Sequence, residues 1–159
     1  MGIKNVVASV AGGGISLITV KYAIALAKML SAKLTAMYVI NEKLLAELLK
    51  SRVLVEVEAR SYEKDLEDQG KRFLERIKSM SENKGIECEC MLLRGVVHEE
   101  IINHAKRLNA DILVMGELKE ALSRKDTFYD EAERIFREAP CPVVVVKNLP
   151  EVEKLYNEV

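Results

Sequence analysis

A strand, a glycine turn and a helix follow one another in residues 3–30, IKNVVASVAGGGISLITVKYAIALAKML. The segment from Ile3 to Val10 is apolar and β-branched on both faces, which is typical of a central strand in a parallel sheet. Gly12 to Gly14 turn the chain into a helix predicted from Ser16 to Leu30. The inward positions of this helix are Val20, Ala23, Ala27 and Leu30. A strand buried on both faces needs helices above and below it, so this stretch predicts an α/β fold.

The same pattern recurs along the chain. It predicts four further strands, at Lys33 to Ile40, Ile86 to Leu93, Asp111 to Met115 and Val143 to Val146. Apolar stripes at helical spacing lie between them: Leu66, Phe73, Ile77 and Met80; Val97, Ile101, Ala105 and Leu108; Ala132, Ile135 and Phe136. Strands that alternate with helices predict a doubly wound parallel sheet with helices on both faces.

Two strands have the character of edges. In the third, Cys88 and Cys90 share a face while Glu87 and Glu89 point to solvent. The fifth, Val143 to Val146, is apolar on both faces, and as the last strand added it should lie at the opposite edge. An apolar edge invites pairing, so we expect something to cover it.

Length and composition indicate one ordinary domain, residues 1–159, with 148–159 as a C-terminal extension. The chain has 24 Lys and Arg against 25 Asp and Glu, and no polybasic run, which argues against nucleic acid as a partner. The uncharged stretch from Asn5 to Val20 could imitate a signal peptide, but its glycines interrupt it. No apolar run approaches a membrane span. We therefore expect a cytoplasmic protein, and three cysteines without a C-x-x-C motif suit a reducing compartment.

The segment from Asn41 to Ser61 is ambiguous. Leu44, Leu45, Leu48 and Leu49 suggest a helix, and Val53 to Val57 suggests a strand. One helix from Glu42 to Ser81 would be about 60 Å long, which is too long for this domain, so a break is expected near Ser51. The leucines either pack over the sheet or a partner subunit, or form a lid over a ligand.

Other candidate chemistry is weak. His98 and His104 are six residues apart, about 240° around a helix, so they cannot chelate one ion and are expected at the surface or at helix ends. A ligand contact for His98, which follows the third strand, stays open. Cys88 and Cys90 are expected to be small apolar residues of a strand, since their spacing is at the limit of disulfide geometry. Three glycines after the first strand suit either a tight turn or an anion nest. Neither a catalytic centre nor a metal site is predicted.

Several longer motifs carry a resemblance to a known family. They are VVASV followed by AGG and Ser16; AIALAKML; TAMYVI; LRGVVHEEI at Leu93 to Ile101; ADILVMG at Ala110 to Gly116; and AERIFREAPCPVVVV at Ala132 to Val146. On these motifs the chain resembles the universal stress protein family over about residues 3 to 147. The resemblance implies a three-layer, adenine nucleotide alpha hydrolase-like fold with a five-stranded parallel sheet of order 3-2-1-4-5. It also implies a cytosolic stress-response protein that forms homodimers through strand five, here Val143, Val144, Val145 and Val146.

One branch of that family binds ATP, which requires an acidic residue after strand one and a G-x2-G-x9-G-[ST] segment whose backbone N–H groups hold phosphate. The resemblance implies these cleft positions in this chain: Ala11 for the aspartate, Gly12 and Gly13 for an adjacent Gly-Ser, Val39 for backbone contact with the base, and Met115 and Gly116 at the first glycine. The second glycine falls at Lys119, the third at Tyr129 and the hydroxyl at Asp130. The spacing is therefore intact while three of the four residue types differ.

Charge also argues against phosphate at this segment. Thr127 to Asp130 is typical of a capping box, with Thr127 as N-cap and the carboxylate of Asp130 at the helix N-terminus. Two unit charges about 4 Å apart repel by about 4 kcal/mol at an effective dielectric constant of 20. Lys119, Arg124 and Lys125 could offset part of this repulsion, or form a solvated loop.

Two functions follow from the sequence. The first is a homodimeric regulatory or binding module of the stress response that lacks tight ATP binding, is not an enzyme, and acts through a protein partner or an unidentified small ligand. The alternative is an ATP-binding protein with a diverged phosphate loop and slow hydrolysis. Residues 116–130, the segment that would hold phosphate, distinguish the two functions.

Overall fold

The computed structural model describes residues 2–10, 14–116 and 127–159, and for 14–16 and 127–130 it describes the backbone alone. The strands are β1 (Asn5–Val10), β2 (Lys33–Asn41), β3 (Cys88–Gly95), β4 (Ile112–Gly116) and β5 (Val143–Val146). The helices are α1 (Gly14–Leu30), α2 (Glu42–Lys50), α3 (Glu56–Asn83), α4 (Val97–Arg107), α5 (Thr127–Glu138) and α6 (Pro150–Glu158). In the described part of the chain, no helix is both long and apolar enough to cross a membrane.

The strands form one parallel sheet of order β3-β2-β1-β4-β5. β1 pairs with β2 on one side and with β4 on the other, so that Ala8 lies beside both Ala36 and Val114. The predicted fold class, strand order and two edges are confirmed. Glu87 and Glu89 of the β3 edge are exposed, as expected from their alternation with the cysteines.

Two apolar clusters fill the space above and below the sheet. The first cluster lies between one face of the sheet and the helices α1, α3 and α6, and it includes Val6, Ile24, Leu34 and Ile77. The second combines α4 and α5 with the other face, around Val7, Met37, Ile101 and Ile135. Right-handed crossovers explain this division, because the chain moves outward from β1 to β3 over one face and returns to β4 and β5 over the other.

The strand boundaries shift by a few residues from the sequence-based ones. β3 was expected from Ile86 but begins at Cys88, because the Ile86 N–H still closes the end of α3 by donating to the Ser81 carbonyl at 3.0 Å. Gly85, with φ of 72°, makes the turn between them, in a region that favours glycine. β3 extends to Gly95 because its ladder with β2 continues to Asn41.

The break expected near Ser51 is confirmed, since α2 ends at Lys50 with Ser51 as its C-cap. The strand suggested by Val53 to Val57 is wrong: a turn leads into α3, and Glu58 accepts a hydrogen bond from the Val55 N–H. Leu45 is buried, but the valines of this turn and helix start are exposed: Val53 at 64%, Val55 at 60% and Val57 at 75%. Packing therefore buries Leu45 of α2 and leaves the three valines of the turn and of the start of α3 uncovered.

Two inward assignments were also wrong. Leu30 is 36% exposed and Phe136 is 41% exposed, although both fit the apolar stripe of their helix. Residues 148–159, treated as an extension, contain α6, which packs on α1. Val152 of α6 is buried in the first cluster, and Glu153 forms an ion pair with Lys21 of α1.

The carboxylate of Asp111 links the beginning of β4 to the beginning of β1 by hydrogen bonds. Asp111 Oδ2 accepts hydrogen bonds from the backbone N–H groups of Lys4 at 2.8 Å and Asn5 at 2.9 Å. Its own N–H donates to the Asn5 carbonyl at 2.9 Å. The N–H donors from Lys4 and then Asn5 lower the pKa of Asp111, because they stabilise its charged form.

We expect Asp111→Asn to destabilise the fold at neutral pH and to matter less in acid. The pKa of Asp111 is lowered in the folded state, so its contribution is present above the unfolded-state pKa and is lost as pH falls through the folded-state pKa. Urea unfolding of wild type and variant across the acidic range measures the difference. Asp65→Asn, at an exposed position of α3, is the control for losing one charge. A difference that stays constant with pH would contradict the expectation.

Candidate functional site

The sheet reverses its direction of winding between β1 and β4, because β1 leads to β2 on one side and β4 to β5 on the other. At such a switch point the crossovers leave on opposite faces, and the carboxyl ends of the two strands border a cleft. Val10 and Gly116 are the last residues of β1 and β4. The candidate site is therefore the edge of the sheet at these two residues.

The structure brings three of the predicted cleft residues together. Val10 pairs with Tyr38, so Val39 lies one residue beyond the end of β1. Val114 pairs with Ala8, which puts Gly116 level with Val10. Met115 belongs to the second cluster, and Val39 is partly buried against that cluster. Val39, Met115 and Gly116 thus share the carboxyl edge of the sheet.

The other predicted cleft residues, Ala11, Gly12 and Gly13, lie outside the described residues, as does Lys119. Thr127, predicted as N-cap, is the first residue of α5. The side chains of Tyr129 and Asp130 are outside the described part of the structure, so the predicted capping box stays a prediction.

Gly116 has a structural role apart from any ligand. A Cβ atom built on Gly116 would lie 3.0 Å from Oγ1 of Thr19, which is 2% exposed on α1. Such a contact is tighter than ordinary van der Waals separation, so the missing side chain lets α1 pack closely against the end of β4. The glycine is therefore explained by packing as well as by the family motif.

A buried acid–imidazole pair lies beside this edge. Oε2 of Glu131, on α5, accepts from the backbone N–H of His98 at 2.6 Å and contacts Nδ1 of the same residue at 2.6 Å. His98 is 9% exposed and Glu131 is 5% exposed. The oxygen is the acceptor for the backbone N–H, and a carboxylate oxygen only accepts, so Nδ1 donates as well. The pair joins α4 to α5.

Glu131 also completes the N-terminus of α4. The N-cap of this helix is Val96, whose side chain provides no capping hydrogen bond. The first N–H groups of a helix need acceptors, and the helix dipole favours a negative charge there. The Glu131 carboxylate meets both needs from another helix.

Of the two positions expected for His98, the surface or a helix end, the structure shows the second: His98 lies in the first turn of α4 and is buried. His98 is turned inward because it shares the inward face of α4 with Ile101, Ile102 and Ala105, which are buried. His104 is partly buried and lies 2.9 Å, by Nδ1, from the Glu100 carbonyl. Within the described residues, no group of three or more His, Cys, Asp and Glu side chains is placed to hold a metal ion.

Sequence reasoning missed Glu131. A signal was present, because Glu131 is four residues before the inward Ile135 and next to the inward Ala132. A carboxylate on an inward helical stripe needs a buried partner. The partner, His98, is 33 residues away, and only the packing of α4 on α5 identifies it.

The described geometry defines an open, doubly wound α/β protein whose sheet reverses its winding between β1 and β4. The sequence profile of the universal stress protein family matches residues 2–147. Universal stress protein MJ0531 of Methanocaldococcus jannaschii is 31% identical over 156 residues, which covers 91% of this chain and 82% of that protein. The chain belongs to the universal stress protein family.

Solved structures share the fold. The hypothetical protein MJ0577 superimposes with a TM-score of 0.76 at 21% identity, covering 94% of this chain and 99% of that one. A universal stress protein in complex with cAMP gives a TM-score of 0.67 at 16% identity, covering 92% and 98% of the two chains. The protein from Archaeoglobus fulgidus in complex with dAMP gives 0.62 at 17% identity, covering 92% and 100%.

We expect Glu131→Ala to lower the free energy of unfolding by about 2 to 4 kcal/mol, because it leaves His98 and the α4 N-terminus buried without their acceptor. Glu131→Gln keeps an acceptor oxygen and should lose less. Urea unfolding at neutral pH measures both variants.

Glu133→Ala is the matched control for that experiment. Glu133 lies on the same helix and pairs with Arg137 at 2.7 Å, but both side chains are largely exposed. An exposed pair four residues apart contributes only about 0.3 to 0.5 kcal/mol. Equal losses from Glu131→Ala and Glu133→Ala would refute the structural role assigned to the buried pair.

Proposed function

We propose that this protein is a homodimeric regulatory or binding module of the cytoplasmic stress response that does not bind ATP tightly. It acts through a protein partner or through a small ligand other than ATP, and not as an enzyme. Family membership supports the stress-response role. One observation supports the lack of tight ATP binding: the segment that would hold phosphate keeps the spacing of the family motif but not its residue types.

In that segment Gly116 is retained, whereas Lys119, Tyr129 and Asp130 stand at the two later glycines and the hydroxyl. Phosphate is held by converging backbone N–H groups, which side chains at glycine positions obstruct. A carboxylate at the last position adds repulsion of about 4 kcal/mol at 4 Å, half of the roughly 8 kcal/mol of a micromolar affinity.

The nucleoside side of the cleft has also changed. Ala11 replaces the acidic residue that would accept hydrogen bonds from the sugar. Val39, Met115 and Gly116 are kept, and they supply apolar surface and backbone that many ligands could use. The cleft is therefore suited to a ligand that needs neither an acidic contact nor a phosphate loop.

The alternative is an ATP-binding protein with a diverged phosphate loop and slow hydrolysis. Two structural neighbours are in complex with cAMP and with dAMP, which supports a nucleotide as the ligand in this alternative. Lys119, Arg124 and Lys125 supply positive charge in the same segment. The two functions make opposite predictions for ATP binding.

We expect millimolar ATP with Mg²⁺ to leave the melting temperature of the wild type unchanged. A ligand at 100 times its dissociation constant would add about 2.7 kcal/mol to the stability, an easily measured shift. Scanning fluorimetry with ATP, AMP and cAMP tests the site, and native mass spectrometry of the purified protein tests for nucleotide that co-purifies. Tight ATP binding by the wild type would refute the proposal in favour of the alternative.

A matched pair of variants tests the cause. The quadruple variant restores the acidic contact, opens the loop and frees the helix N-terminus: Ala11→Asp, Lys119→Gly, Tyr129→Gly and Asp130→Ser. It should bind ATP measurably, while Ala11→Asp alone should not, because Asp130 still opposes the phosphates. A folded quadruple variant that ignores ATP would show that side chains are not the reason for weak binding.

The dimer part of the proposal rests on β5. This strand is last in the sheet order, and Val143, Val144 and Val145 keep part of their surface exposed. An apolar edge strand with free backbone groups pairs readily with another chain. A second β5 is the partner we propose.

We expect the wild type to be a dimer by light scattering at micromolar concentration and Val144→Lys to weaken it by at least about tenfold, because an ammonium group would be buried at the interface. Val57→Lys makes the same change at a valine that is 75% exposed and should leave the dimer intact. Circular dichroism checks that both variants fold. A monomeric wild type would contradict the proposal.

A further inference from the structure

Two thiols lie side by side where the outer strand β3 begins. Cys88 and Cys90 are two residues apart on one face of the strand, and their Sγ atoms are 4.0 Å apart. Both are free and partly exposed. The arrangement is a pair of soft ligands held at fixed separation by the ladder with Leu34 and Ala36 of β2.

The surroundings keep this pair distinct from the carboxylates of the same strand. Cys90 and Cys88 face α3, where Cys90 Sγ donates to the Leu74 carbonyl at 3.4 Å. Glu87 and Glu89 are on the opposite face, where both pair with Lys33, at 3.9 Å and 3.0 Å. The thiols therefore lie between β3 and α3, away from the exposed acidic face.

The two sulfurs are already in hydrogen-bond contact. The proton of the 4.0 Å contact between Cys88 Sγ and Cys90 Sγ can come from either thiol. A cation that binds both sulfurs as thiolates would displace the thiol protons.

The separation suits a bridging cation better than a disulfide. A disulfide needs sulfurs about 2.05 Å apart, and residues two apart on a strand are at the upper limit of its Cα separation. With metal–sulfur bonds of about 2.3 Å, two thiolates that share one cation lie about 3.8 Å apart at a tetrahedral angle and about 4.6 Å apart when collinear. The observed 4.0 Å falls within this range.

The ligand set selects the kind of cation. Around these thiols the described residues provide no third His, Cys, Asp or Glu ligand, so the four-ligand requirement of structural zinc is not met. The backbone carbonyls of Leu74 and Glu89 lie 3.4 Å from the Cys90 sulfur and 3.8 Å from the Cys88 sulfur, respectively. Carbonyl oxygen suits hard cations, whereas thiolate selects Cu(I). We propose that Cys88 and Cys90 form a two-thiolate site for a soft monovalent cation, with Cu(I) as the probe.

Cu(I) binding is tested on the whole protein without oxygen and with a reductant that contains no thiol. Cu(I) is supplied in competition with a chelator whose Cu(I) complex is coloured. We expect about one equivalent to bind, and Cys88→Ser and Cys90→Ser each to weaken binding by at least about 100-fold, since one thiolate cannot replace two. Cys141→Ser, which removes the third cysteine, should bind as the wild type does. Binding that is lost in Cys141→Ser, or kept in Cys88→Ser, would overturn the proposal.

A second measurement needs no variant, which guards against a serine variant that fails to fold. Wild-type protein is alkylated with and without one equivalent of Cu(I), and the modified cysteines are identified by peptide mass spectrometry. Cu(I) should protect Cys88 and Cys90 while Cys141 reacts equally in both samples. Zn²⁺ at the same concentration should protect neither thiol. Equal alkylation of Cys88 and Cys90 with and without Cu(I) would overturn the site, and protection by Zn²⁺ would overturn its selectivity.

Discussion

The burial of β1 on both faces and along both edges is the constraint on which the rest of the structure depends. Val6 and Val7 point to opposite faces and have no exposed surface. β2 pairs with one edge of β1 and β4 pairs with the other. The chain must therefore wind outward from β1 twice, in opposite directions. Since each crossover is right-handed, α1 and α3 cover one face, and α4 and α5 cover the other. The cleft lies where these directions part, so its location is a consequence of burying β1.

The walls of that cleft depend on a polar contact inside an apolar layer. α4 and α5 both pack on the face centred on Val7 and Leu113, and apolar packing alone tolerates sliding of one helix past the other. The Glu131 carboxylate accepts two hydrogen bonds from one residue of α4, His98, and both require a defined position. The pair therefore fixes the register of two helices whose N-termini both lie at the carboxyl edge of the sheet.

Much of this arrangement could be predicted from the sequence, because it follows from local periodicity. Strands such as Val143–Val146 and the inward positions Ile101 and Ala105 depend on burial that a short window displays. Helix ends were less predictable: Leu30 and Phe136 fit the apolar stripes of α1 and α5 but are exposed, and a short sequence window does not show which positions the sheet covers. α6 had a recognisable signal in Pro150 at its first turn, followed by Glu151 and Glu153.

The site was predictable only where it consists of strand ends. The family resemblance implied Val39, Met115 and Gly116, and the topology puts them at one edge of the sheet, whereas the pairing of His98 with Glu131 joins two helices that are distant in sequence. The thiol pair is intermediate: strand geometry puts Cys88 beside Cys90, but the Sγ separation and the facing helix α3 come from packing.

The cleft and the thiol pair occupy opposite ends of the sheet. Cys88 pairs with Leu34 at the beginning of β2, whereas Val39 lies near the end of the same strand, beside Leu93 of β3. Val39 is five residues from the level of Cys88 and three from the level of Cys90, roughly 16 Å and 10 Å at 3.3 Å per residue. At these distances, with β2 buried between, a group bound in the cleft cannot touch the sulfurs. Any influence of the cleft on the thiol pair must pass through the packing of β2. Substitutions in the cleft and substitutions at the two cysteines can therefore occur independently of each other.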